Sequence, residues 1–121
     1  MHLRRLLIAA AALLPLGALA QPWPQKPVRI VVTFAPGGSS DVVARLLQPA
    51  LQERLGQPVI VENKPGAGST IGAGEVAKAA ADGYTLLLTG PNHATNVGLY
   101  KSLPYDPDKD FAPISVIGTD Y

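Results

Sequence analysis

The sequence predicts an α/β fold: a parallel sheet in three layers. Two observations carry that expectation. Short, β-branched apolar runs alternate with longer stretches of helical period, and strands separated by helices run parallel through right-handed crossovers. Three of the apolar runs lead directly into clusters of glycine, proline, serine or asparagine, as strand-to-helix loops do.

The elements follow in order. Residues 28–34 (VRIVVTF) form an apolar strand of the kind covered on both faces. Residues 40–55 place Val42, Val43, Leu46, Leu47, Ala50, Leu51 and Leu55 on one broad helical face. Ser39 or Ser40 is expected to cap this helix, Asp41 suits its positive end, and Gly56 stops it. Pro49 is expected to kink it or shorten its regular part. A short strand at 59–61 leads into the loop KPGAGS. An alanine-rich helix at 71–81 and a strand at 84–89 (YTLLLT) come next. A short helix is expected at 94–101, a proline- and acid-rich loop at 103–110, and a fourth strand at 111–117.

The chain has 121 residues, 47% of them hydrophobic, and no cysteine. Its first twenty residues have the form of a secretory leader: Arg4 and Arg5, an apolar run from Leu6 to Leu14, then Ala18-Leu19-Ala20 before a cut after Ala20. The apolar run is too short for a permanent span. Removing the leader removes both arginines and no acid, leaving eight basic and nine acidic residues. That balance excludes a nucleic-acid-binding surface. Residues 21–121 suffice for one core held without disulfides, and carry no further stretch of membrane length.

Three loops stand out. Residues 35–40 read APGGSS, 64–70 read KPGAGST, and 90–93 read GPNH. In a parallel sheet all such loops leave one edge, and ligands bind there. Bare N–H groups at helix starts favour an anion, and glycine lets the backbone come close. The loops therefore form a candidate cradle for a carboxylate.

Other chemistry fits poorly. Residues 66–72 space their glycines as GxGxxxG, with no acid after the next strand for a ribose and no lysine for a phosphate loop. No GxSxG elbow is present. His93, the one histidine beyond the leader, cannot build a metal site with such scattered acids. Asp106, Asp108 and Asp110 lack the glycine and glutamate of a calcium loop and suit a solvated turn. Trp23, Tyr84, Tyr100 and Tyr105 are expected to pack. The competing enzymatic reading is a secreted α/β hydrolase or transferase fragment using Ser39 or Ser40.

The stretch WPQKPVRIVVTFAPGGSSDVVARLLQPALQERLGQPVIVENKPGAGSTIGA, followed by DGYTLLL, HATN and LYKSLPYDPDKDFAPIS, resembles the periplasmic solute-binding receptors of tripartite tricarboxylate transporters, the Bug receptors. The resemblance implies the type II periplasmic binding protein fold, of which residues 21–121 would be the N-terminal part of lobe 1. Lobe 2 would be absent, and the chain is expected to be a truncated, N-terminal fragment of such a receptor. It implies a small organic carboxylate as ligand, membrane permease subunits as partners, no cofactor, no metal and no catalysis. Its first two loops would hold one carboxylate, partly through water. Carried over, the ligand-binding residues are Phe34, Gly37, Gly38, Ser39, Ser40, Gly66, Ala67, Gly68, Ser69 and Thr70, with Asn92 and His93 from the third loop. Asp41 has a structural role, ordering the loop and the helix start.

Overall fold

The computed structural model describes residues 22–119. The leader at 1–20 lies outside them. Three strands and three α-helices alternate: β1 (Val28–Val32), α1 (Ser39–Leu55), β2 (Val59–Asn63), α2 (Thr70–Ala77), β3 (Thr85–Leu88) and α3 (Asn92–Leu99). One 3-10 turn, Ala67–Ser69, precedes α2.

Strand β1 is central. It pairs in parallel with β2, from Val28 opposite Val59 to Val32 opposite Asn63. On its other edge it pairs in parallel with β3, from Arg29 opposite Thr85 to Val32 opposite Leu88. Its alternating residues serve two faces. Ile30 and Val32 pack with Ala44, Leu51 and Leu55 of α1. Arg29 points the other way and donates to Glu75 Oε1 of α2 at 3.0 Å and to Glu62 Oε2 at 3.1 Å. Thr33 also meets α2, where a Cβ on Gly72 would come 3.1 Å from its Cγ2 and 2.8 Å from the Lys64 carbonyl. Only glycine lets that helix lie so close. The expected parallel, layered α/β arrangement is therefore present, with α1 and α2 on opposite faces.

Several elements differ from expectation. α1 runs unbroken through Pro49; Pro49 and Arg45, whose carbonyl loses its partner, are both exposed, so water can serve that group. It ends at Gly56, in the left-handed region at φ 65°, whose N–H donates to the Gln52 carbonyl at 2.9 Å. α3 starts at Asn92, two residues earlier than expected. Residues 111–117 form no strand: Ile114 and Val116 are 80% and 78% exposed. Their apolar character favours a sheet, but no strand among the described residues pairs with them. Residues 103–110 close on themselves, with Asp106 Oδ1 accepting from the N–H groups of Asp108 and Lys109. Trp23 packs against Tyr84, ring centroids 5.9 Å apart, just before the starts of β1 and β3.

Burial of β1 sets the stability. Val32→Ala removes two methylene equivalents from a fully buried site and is expected to cost about 2 kcal/mol in urea unfolding. Val42→Ala, at a half-exposed position of α1, should stay within about 0.5 kcal/mol of the parent.

Candidate functional site

The three strands run in one direction, so the loops after β1, β2 and β3 share an edge. Beyond β1 the chain turns to α1 on one face. Beyond β3 it turns to α3, which packs with α2 on the other face. A crevice opens where neighbouring strands send their connections to opposite faces, and here that holds on both sides of the end of β1, against β2 and against β3.

The first loop is ordered by Asp41. The residue is buried, and its Oδ2 accepts from the Gly37 N–H at 2.9 Å. Arg45 Nε donates to both carboxylate oxygens, at 3.0 and 3.1 Å, and Asn63 Nδ2 donates to Oδ1 at 2.9 Å. The same Asn63 amide donates to the Phe34 carbonyl at 3.0 Å. These donors, Arg45 foremost, lower the pKa of Asp41 from 3.8 to about 2. The expected serine cap is absent. Gly38 occupies the cap position, and the Asp41 carboxylate, reaching back to Gly37, braces the entry instead. Ser39 and Ser40 thus sit in the first turn. Their N–H and O–H groups take part in no hydrogen bond among the described residues.

The second loop is wound the wrong way for L-residues. Gly66, Ala67, Gly68 and Ser69 have φ of 127°, 45°, 61° and 77° in succession. Ser69 and Thr70 are buried, and their hydroxyls are engaged internally. Ser69 Oγ donates to the Thr33 carbonyl at 3.4 Å and accepts from Asn92 Nδ2 at 2.6 Å. Thr70 Oγ1 donates to the Ala67 carbonyl at 2.9 Å. These side chains therefore brace the loop, and the N–H groups of Gly66, Ala67 and Gly68 take part in no hydrogen bond among the described residues.

The third loop ties the other two together. The Phe34 ring lies against Gly90, where a Cβ would come 3.2 Å from its Cζ. Asn92 Nδ2 also donates to the Gly68 carbonyl, at 3.0 Å. His93 turns away from the loops. Its imidazole stacks on Tyr105 at 5.5 Å and meets the edge of Phe111 at 4.9 Å. Burial lowers its pKa, and its Nδ1 has no partner. No hydrogen bond links it to Ser39 or Ser40, so the described residues contain no serine–histidine pair. No group of metal-ligating side chains occurs among them either. Asn63, Arg45 and Asn96 are the site-ordering residues that the sequence reading missed. The signal for Asn63 was its place at the carboxyl end of β2; for Asn96 it was the four-residue spacing from Asn92 along a helix.

A groove of about 780 Å³ leads away from Ser39, Ser40 and Gly90 between α1 and β3. Among the described residues the cradle carries no free cation. Arg45 is engaged with Asp41, and Lys64 Nζ lies 3.5 Å from Glu75 Oε2.

This fold and edge belong to a class of periplasmic binding proteins. The chain aligns with the structure of periplasmic binding protein BugD at a TM-score of 0.73 and 48% identity, over 76% of this chain and 31% of that one. MatC from Rhodopseudomonas palustris with bound malate aligns at a TM-score of 0.68 and 47% identity, over 75% and 31%. BugT of Bordetella pertussis is 43% identical over 125 residues, 98% of this chain and 38% of that protein. Residues 43–120 match the model of the tripartite tricarboxylate transporter family receptor, TctC. The chain belongs to that family, which is one of solute-binding receptors and not of enzymes. It spans about a third of the relatives' length.

The depressed pKa of Asp41 fixes the sign of a pH effect. A carboxyl whose folded pKa lies below its unfolded value stabilises the fold above the unfolded pKa, and that contribution fades as pH falls through the folded one. Asp41→Asn is expected to lower the thermal midpoint at pH 7. The gap to the parent should narrow between pH 3.8 and about 2.

Proposed function

We propose that the protein is the receptor of a tripartite tricarboxylate-type transporter. Exported and freed of its leader after Ala20, it captures a small organic carboxylate in the periplasm and delivers it to permease subunits in the membrane. Residues 21–121 are the N-terminal part of its first lobe, and a second lobe closes over the ligand. Di- and tricarboxylates and amino acids are the ligand class. MatC, with malate bound, supports that choice.

One observation carries this reading. Helix starts from three parallel-strand loops converge on one edge, tied to each other by Asn92, Asn63 and Phe34. They leave unengaged N–H groups at Ser39, Ser40, Ala67 and Gly68. Such donors, with the helix dipole behind them, stabilise a carboxylate without a formal positive charge. No bond is made or broken; domain closure supplies the rest of the selectivity.

A backbone donor can be deleted at one position. Proline is tolerated in the first turn of a helix, and Gly38 before it is extended, as proline requires. In the full gene product, Ser39→Pro is expected to weaken malate or a related small carboxylate by roughly ten- to a hundredfold in calorimetry. Unchanged affinity, or a parent that gives no heat with any small carboxylate, would overturn the reading. Ester hydrolysis abolished by Ser39→Ala would favour an enzyme instead.

A further inference from the structure

We infer that Asn96, acting with Asn92, is a positioning residue for the carboxylate cradle: its amide locks the left-handed turn 66–69, which turns the Ala67 and Gly68 N–H groups outward. The inference rests on the binding role proposed above.

Asn96 is 1% exposed, and its Nδ2 donates to the Gly68 carbonyl at 2.7 Å. Asn92, one helical turn earlier on α3, donates to the same oxygen at 3.0 Å. Two amides thus grip one carbonyl, using both of its lone pairs. The two preceding carbonyls are held as well. The Gly66 oxygen accepts from the Ser69 N–H at 3.0 Å, and the Ala67 oxygen accepts from Thr70. In a trans peptide the N–H points opposite to its C=O. The amides on the Gly68 carbonyl fix the peptide whose N–H, that of Ser69, holds the Gly66 carbonyl; with the Gly66 and Ala67 carbonyls held by Ser69 and Thr70, the Ala67 and Gly68 N–H groups point the opposite way. Both residues are exposed.

The turn needs such a lock. Ala67 and Ser69 are the two non-glycine residues with positive φ among those described, and side chains disfavour that region. Released from the amides, both would relax toward negative φ and swing these N–H groups out of register. Gly68, at φ 61°, suits this left-handed position. A Cβ on it would come 2.9 Å from Tyr100 Oη and 3.5 Å from Asn96 Oδ1. α3 is thus seated directly on the turn it holds.

The test uses Asn96→Leu, which keeps the shape and removes the donor without adding charge. In the full gene product it is expected to weaken malate roughly three- to tenfold in calorimetry. It should also weaken the strong intraresidue Hα–HN NOE that positive φ gives Ala67. Adding Ala67→Gly, which removes the conformational penalty at that position, should restore much of the lost affinity. A side chain that merely stabilised the fold would not be rescued in this way. A folded Asn96→Leu protein with both the NOE and the malate affinity of the parent would overturn the inference, as would failure of Ala67→Gly to restore any affinity. If the parent binds no small carboxylate, the binding role falls by that result, and the NOE alone decides: its loss in Asn96→Leu supports the lock, its persistence refutes it. Should Asn96→Leu not fold, Asn92→Leu takes its place with the same readouts.

Discussion

Strand β1 is hydrogen-bonded on both edges and covered on both faces, and the rest of the structure depends on that. Val28, Val31 and Val32 have no exposed surface. A strand so placed can be continued only in parallel, since each neighbour is reached through a helix that must cover a face. The first crossover leaves toward β2 and the second returns past β1 to β3. Because both are right-handed and travel in opposite directions, their helices fall on opposite faces. The gap at the end of β1 is the geometric remainder of that arrangement, and three helix starts border it.

Within the gap, polar side chains mostly serve the backbone. Asp41 holds Gly37, Asn63 holds the Phe34 carbonyl, Thr70 holds the Ala67 carbonyl, and Ser69 is held by Asn92. Each bond fixes a peptide plane and thereby the direction of a neighbouring N–H. The division of labour is consistent across the first two loops. Side chains orient, and the amides they orient face outward. Asp41 illustrates the cost of this arrangement, since it places a carboxylate beside a site read as anionic in preference. Arg45 neutralises it where it stands, and the Gly37 N–H and Asn63 amide solvate it.

Much of this was legible in the sequence. The apolar run 28–34 marked the central strand, and the loop compositions marked the shared edge. What escaped the sequence were pairwise relations. Serine at a helix start suggests a cap, yet Gly38 takes that position because the Asp41 carboxylate braces the turn from inside the helix. Ser69 and Thr70 read as ligand donors, since composition cannot reveal that Asn92 and the Thr33 and Ala67 carbonyls already engage them. His93 sat in the right loop, but Tyr105 and Phe111 offered it an apolar stack. Residues 111–117 carried a strand's apolar content without a partner strand, and pairing, unlike propensity, is not a local property.

The neutrality of the cradle has an electrostatic corollary. Arg45 and Lys64, the cations adjoining the first two loops, both face carboxylates of the protein itself. An ion gripped only by amide dipoles within a few ångströms lies inside the screening distance, which is about 8 Å at physiological salt. Retention there would depend little on ionic strength.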